Sequence, residues 1–351
     1  MQAQIELQHH HDDYECMWNG IEDIYMSKTG ETLPRNCFFT LAQFGSFCYM
    51  KTEKAEIKRM VALGDGRPKK MYAFLAPLVG FEYRHFEYDT FEQALKKAKA
   101  EVDSGYPVVL GALDMYDLPY YPKLFHNMHI PLHYILMVGY DDAAACIKLY
   151  DCGREELLSL NYEDLQKSLN CSYPGLSRRN TVCTIRMTHP AGKLQIVRQA
   201  LAQRASLFLN PSASFLGCRG FEKLISEMPK WRGELTTEEY NKVLTNMIMF
   251  FGTVPTLPNA LYGFDEPDTI QFAGRFDYAS EMLAGFGAEF QNERWTSASR
   301  SFAQCGQLIE RITGLTVNYL VGKNDEMSSV PALFTDVLAL MREGFLQLGA
   351  G

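Results

Sequence analysis

No apolar run in this sequence approaches the length of a membrane span, and Met247-Ile248-Met249-Phe250-Phe251 is interrupted within a few residues. Basic clusters are scarce too. Arg67-Pro68-Lys69-Lys70 and Arg178-Arg179 are brief, and a formal charge of −8 with a pI near 5.6 argues against a nucleic-acid or other polyanionic partner. There is no low-complexity tract, and the helical second half carries no convincing internal repeat. The opening residues Met1-Gln2-Ala3-Gln4 are polar, with no apolar leader, so the expectation is a cytoplasmic protein without membrane contact. A disulfide framework is excluded on similar grounds. The nine cysteines are odd in number in a large chain and read as free thiols in a reducing compartment, mostly core residues.

What is present is enough for two folded domains: 351 residues, of which 47% are hydrophobic and 22% charged. Apolar residues at helical spacing from Met17 to Tyr25 predict a helix with Cys16 at or near its N-terminal end. Residues 38–50 read as a second, aromatic-rich helix. Residues 91–102 read as an amphipathic helix ended by Gly105-Tyr106-Pro107. The period then changes. Residues 108–113, 133–138 and 145–150 read as strands, the last two joined by an Asp141-Asp142 turn and therefore antiparallel neighbours. A short helix from Asn161 and a strand over 181–187 complete an α+β unit, residues 1–190. Residues 191–351 show only long helical patterns, at 191–209, 220–228, 236–251, 270–292, 297–313 and 330–348. Thr236-Thr237-Glu238-Glu239 carries the marks of a helix start.

The chemistry-bearing pattern is Cys16, then His133 opening a strand, then Asp151 ending the next. A thiol titrating near 8.5 needs help to ionise at neutral pH. A helix N-terminus and an imidazolium both supply it, and a carboxylate on the other ring nitrogen fixes the tautomer. Cys, His, Asp in this order is a papain-like nucleophilic site, and it points to acyl chemistry through a thioester. A buried cysteine or a histidine on an apolar strand is more often a core residue; the joint pattern is what favours a site. The triad needs an oxyanion donor besides the Cys16 backbone N–H. His9-His10-His11-Asp12-Asp13 lies on the approach to the cysteine. Three adjacent imidazoles cannot converge on a metal without a turn, so no metal is expected there. Cys152, next to Asp151, has nothing adjacent in sequence to activate it.

Pro107 to Tyr120, with its Leu118-Pro119-Tyr120, and His133-Tyr134 through Gly139-Tyr140-Asp141-Asp142 resemble the N-terminal domain of the butirosin-biosynthesis acyltransferase family. Gly217 to Phe221, Pro229-Lys230-Trp231 and Gly274-Arg275-Phe276 to Trp295 are similar to its helical second domain. The resemblance implies a papain-like fold related to the double-glycine peptidases, followed by a helical domain. It makes Cys16 the nucleophile, His133 the base and Asp151 the orienting acid. It implies transfer of an aminoacyl chain from a carrier-protein thioester to an amine. A cysteine-protease homologue that forms amide bonds in polythioamide (closthioamide) biosynthesis is of the same kind. Two departures stand out. Glu15 occupies the position where the family has His, and His10 falls where papain-like enzymes carry the oxyanion glutamine, which leaves His10, His11, Gln8 or Asn19 as the second donor.

The expectation is therefore a papain-like α+β domain, residues 1–190, followed by a helical domain, residues 191–351. Its activity is amide-forming acyl transfer with no intrinsic cofactor. The partners are an acyl or peptidyl carrier protein, whose phosphopantetheine arm presents the donor, and a small amine. A cysteine peptidase or amidase using the same three residues is the rival enzyme, and a binding module on a degenerate papain fold is the rival of another class.

Overall fold

The structure, a computed structural model, describes residues 1–10, 16, 20–63, 67–173, 177–251, 276–323 and 327–349. In chain order the strands and α-helices are β1 (Gln2–Gln4), α1 (Ile21–Thr29), α2 (Cys37–Gln43), β2 (Phe47–Lys51), β3 (Arg59–Leu63), α3 (Pro68–Val79), β4 (Phe81–Glu87) and α4 (Phe91–Asp103). Then come β5 (Val108–Leu113), β6 (His133–Asp141), β7 (Cys146–Tyr150), β8 (Leu158–Asn161), α5 (Tyr162–Leu169), β9 (Thr181–Met187) and α6 (Lys193–Leu209). The chain closes with α7 (Gly217–Glu227), α8 (Trp231–Glu234), α9 (Thr237–Phe251), α10 (Phe276–Glu289), α11 (Glu293–Leu320) and α12 (Val330–Gly349).

Two compact units emerge. The first contains residues 1–38 and 67–193 and is built on an antiparallel sheet, seven-stranded among the described residues, in the order β4-β9-β5-β6-β7-β8 with β1 added on β6. Its central strands are apolar along their whole length because both faces are covered: β5 is buried throughout and β6 through Tyr140. Val108, Leu110, Ile135, Met137, Ile147 and Leu149 pack in one core with Ala94, Ala98 and Val102 of α4 and Leu165 and Leu169 of α5. The helices are capped as their sequences require. Thr90 accepts from the backbone N–H of Gln93, and Asn161 from that of Asp164. Gly139 admits β1, whose Ala3 carbonyl oxygen would lie 2.7 Å from any Cβ placed there.

The second unit is mainly helical, but it is not confined to the chain beyond 190. Among the described residues it contains 39–63, 194–251, 276–323 and 327–349, so most of α2 and the β2–β3 hairpin belong with the later helices rather than with the first unit. The single helix expected over 38–50 is in fact α2 followed by β2. Gly45, at φ +75°, ends the helical path. Beyond it Phe47 and Tyr49 are buried while Cys48 is half-buried and Met50 exposed, the period of a strand. Arg204 of α6, itself buried, donates to the carbonyls of Ala42, Gln43 and Phe44 and so satisfies the end of α2. Phe44, Phe208, Phe302 and Phe345 pack together, with centroids 4.6 Å apart for both the edge-on pair Phe44–Phe302 and the stacked pair Phe208–Phe345. At the start of α9, Thr236 accepts from the Glu239 N–H while the Glu239 carboxylate accepts from that of Thr236, the reciprocal box its sequence predicted. The helix expected over 270–292 is described from Phe276; residues 270–275 lie outside the described residues. No described helix is long and apolar enough to cross a membrane, and all nine cysteines are free.

Candidate active site

Strand pairing delivers two of the expected residues. β6 opens at His133, and β6 and β7 pair antiparallel with Leu136 opposite Tyr150. Continuing that register by one step sets Asp151 across from Ile135, two places from His133 and on the same face of the pleat. The side chains accordingly meet: His133 Nε2 lies 2.8 Å from both Asp151 carboxylate oxygens. Both groups are buried, His133 at 3% exposure and Asp151 at 0%.

On the opposite side of the ring, Nδ1 stands 3.5 Å from Cys16 Sγ. The structure thus brings together Cys16, His133 and Asp151 from positions far apart in sequence. The helix beyond the cysteine is described from Ile21 rather than Met17, with Gly20 as its N-cap. Residues 17–19, and with them the expected placement of Cys16 on the helix end, lie outside the described residues, as do the oxyanion candidates His11 and Asn19.

Asp151 is held by more than the histidine. Tyr120 O–H donates to its Oδ2 at 2.9 Å, and the Cys152 backbone N–H donates to its Oδ1 at 2.7 Å. A carboxylate with these donors has a fixed orientation and in turn fixes the imidazole with its Nε2 proton toward Asp151, leaving Nδ1 to exchange a proton with the thiol. Tyr121 packs edge-on against the His133 ring at 5.5 Å. The Arg154 guanidinium lies over the rings of both Tyr120 and Tyr121 and donates to the Tyr120 carbonyl.

Charge inside the pocket favours the ion pair. Burial opposes a cationic His133 and is the largest influence on it, but the anions of Asp151 and Cys16 outweigh burial and raise its pKa to about 10. The Cys16 thiol is held well below its ordinary range. A hydrogen bond from Cys152 is the largest cause, burial works against it, and His133 adds to the lowering. Cys152 is pushed well above its ordinary range by that same bond, by burial and by Asp151. It is thus the partner that remains a thiol and donates.

Cys152 has no activating neighbour, as its place in the sequence suggests, since its thiol is pushed up; its influence on Cys16 is what the sequence does not show. Tyr120 also escapes a sequence reading of the triad, although it is the last residue of the Leu118-Pro119-Tyr120 motif.

The histidines before Cys16 have a different task. His10 was a candidate oxyanion donor, but its ring nitrogens are engaged by buried carboxylates, Nδ1 by Asp23 and Nε2 by Glu22 at 3.0 Å. Burial alone would lower its pKa; the two carboxylates raise it to about 11. His9 bridges Asp23 Oδ2, at 2.6 Å, to the Arg154 carbonyl, at 2.9 Å, and stacks on Tyr150 at 4.4 Å. This bolts the segment leading to the cysteine onto the chain just past Asp151. Gln8, the other position considered, is exposed, and its N–H donates to Ser27.

Residues 15–152 match the family model described as butirosin biosynthesis protein H, N-terminal. The butirosin-H match spans the stretch from Glu15 to Cys152 and encloses Cys16, Tyr120, Tyr121, His133, Asp151 and Cys152, whereas Arg154, His9 and His10 lie outside it. Comparison with curated proteins finds no match.

Proposed function

We propose that this chain is an amide-forming acyltransferase of natural-product biosynthesis, working through an acyl thioester on Cys16. The observation that carries the proposal is the Cys16–His133–Asp151 line, with sulfur 3.5 Å from one ring nitrogen and a buried carboxylate 2.8 Å from the other. The match to the butirosin-H N-terminal family supports a biosynthetic acyl transfer rather than peptide cleavage. The order of the three residues along the chain, with helices on an antiparallel sheet, supports a papain-like ancestry.

In this reading the Cys16 thiolate attacks the thioester carbonyl of a donor carried on a phosphopantetheine arm. The tetrahedral intermediate expels the pantetheine sulfur, which takes the Nδ1 proton of His133. An amine then attacks the acyl-cysteine. His133, now neutral, accepts the ammonium proton as the C–S bond breaks, and the thiolate–imidazolium pair is restored. Exchange of one thioester for another is nearly isoenergetic, so the enzyme's task is to favour the amine over water.

The test is incubation with an acyl-carrier thioester, with and without amines, followed by intact mass measurement. The expected result is an acyl adduct on Cys16 that is discharged to amide by the amine and is absent in Cys16→Ala. Free acid formed at the same rate whether or not amine is present would support a cysteine peptidase or amidase instead. Full transfer by Cys16→Ala would end the proposal.

A further inference from the structure

Acyl transfer needs the His133 ring held in one orientation, and Asp151 holds it by one nitrogen. Whatever holds Asp151 is therefore part of the site. The Arg154 guanidinium lies over two rings at once, 5.6 Å from the centroid of Tyr120 and 5.2 Å from that of Tyr121, and it donates to the Tyr120 carbonyl. Each ring then reaches a different member of the pocket. The Tyr120 hydroxyl donates to Asp151 Oδ2 at 2.9 Å, while the Tyr121 hydroxyl lies 3.8 Å from Cys152 Sγ and its ring meets His133 edge-on at 5.5 Å. One cation thus bears on both tyrosines.

The backbone of the same residue reaches the other side of the pocket. Its carbonyl accepts from His9 Nε2 at 2.9 Å, and His9 Nδ1 is paired with Asp23 Oδ2 at 2.6 Å, so the segment leading to Cys16 is tied there as well. Asp23 is buried in the first turn of α1. By contrast, the ion pair of Arg154 with the exposed Glu156 is 3.6 Å long and contributes little.

We infer that Arg154 is a positioning residue: through Tyr120 and Tyr121 it fixes the Asp151–His133 pair, and through its carbonyl and His9 it fixes the chain leading to Cys16. Sulfur and imidazole then share one anchor. Misplacing a reacting group by about 1 Å can cost about 10²-fold in rate, which is what such an anchor prevents. Lysine is an incomplete substitute, because a planar guanidinium spreads over two rings where an ammonium is a point charge. The inference rests on the acyl-transfer reading for its purpose, but its test contains no substrate.

The experiment is proton magnetic resonance of the full chain, read at the far-downfield signal of an imidazole N–H held by a carboxylate and assigned to His133 by its loss in His133→Ala. The wild-type chain should show a sharp line. In Arg154→Met and in Tyr120→Phe the line should be lost to exchange with solvent, with circular dichroism unchanged, and Arg154→Lys should retain it broadened. A line of wild-type width in Arg154→Met overturns the inference, and so does its absence from the wild-type chain. If Arg154→Met fails to fold, Arg154→Gln, which keeps a donor for the Tyr120 carbonyl and removes the cation over the rings, decides on the same criterion. A chain whose line behaves as expected but whose Cys16 takes up no acyl group keeps the anchor and removes the acyl-transfer reading.

Discussion

Cys152 is the strongest influence holding the Cys16 thiol below its ordinary range, ahead of His133. A partner that donates to the anion favours the ionised form. Cys152→Ala should therefore move the midpoint of the pH–alkylation profile of Cys16 upward. Cys152→Ser, which keeps a donor, should move it less. The profile is measured with iodoacetamide and peptide mapping, and an unmoved midpoint in the alanine variant would show that the bond contributes nothing to ionisation.

Removing the imidazole should be more costly. With His133→Ala the pocket loses both the proton carrier and the cation beside the sulfur, so acyl transfer should fall by about 10²–10⁴-fold. Labelling of Cys16 at neutral pH should fall with it. Single-turnover assays that retained the wild-type rate in this variant would contradict the role given to His133.

The pair formed by His10 and Asp23 gives a pH signature of its own. The pKa of His10 in the folded chain, about 11, lies above its ordinary value of 6.5, so the stability it contributes is complete below 6.5 and is lost as pH rises from there through 11. Denaturant unfolding should show stability declining over that alkaline range, and His10→Gln should show less of the decline. Asp23 is displaced the other way: burial raises its pKa, but His10 and His9 together bring it below 3.8, so its contribution is lost in acid. Asp23→Asn should cost about 3–5 kcal/mol, the penalty for leaving a buried charge without its partner.

Arg204 offers a test in the second unit. Its guanidinium satisfies the carbonyls of Ala42, Gln43 and Phe44, and each orphaned carbonyl costs about 1–3 kcal/mol. Arg204→Met should lower the thermal transition of that unit while leaving iodoacetamide labelling of Cys16 unchanged below that transition. A calorimetric trace indistinguishable from wild type would remove Arg204 from the fold's essential contacts.

The sequence is legible where a single interaction decides local structure. β5 and β9 fall on the residues their β-branched runs predicted, and the Asp141-Asp142 turn makes β6 and β7 neighbours because an antiparallel pair needs only a tight connection. Legibility fails where distant residues decide. Residues 38–50 read as one helix because aromatic content alone does not reveal that Gly45 breaks the path and that Phe47 and Tyr49 are buried as a strand. β4 was hidden by the charged residues Glu82, Arg84 and Glu87 that an edge strand turns outward. In the pocket, Cys16, His133 and Asp151 were found from residue type and order. The parts played by Cys152 and Tyr120 are not legible, because what matters about them is which group they act on, and no spacing encodes that. The partners of His10 are hidden for the same reason: Glu22 and Asp23 sit in the first turn of α1.

The residues of α2 and the hairpin of β2 and β3 leave the ribosome long before α6, α11 and α12, yet Phe44 packs edge-on against Phe302 and tilted against Phe345, and the end of α2 is closed by Arg204. Phe44, Phe47 and Tyr49 must therefore wait through most of synthesis before their burial can be completed. A shortened chain stopped at residue 190 would carry these rings without Phe221, Trp231, Phe302 and Phe345, which cover them. The clean cut that the primary structure invites, between a sulfur-bearing front and a helical back, would yield a sticky fragment rather than a minimal enzyme.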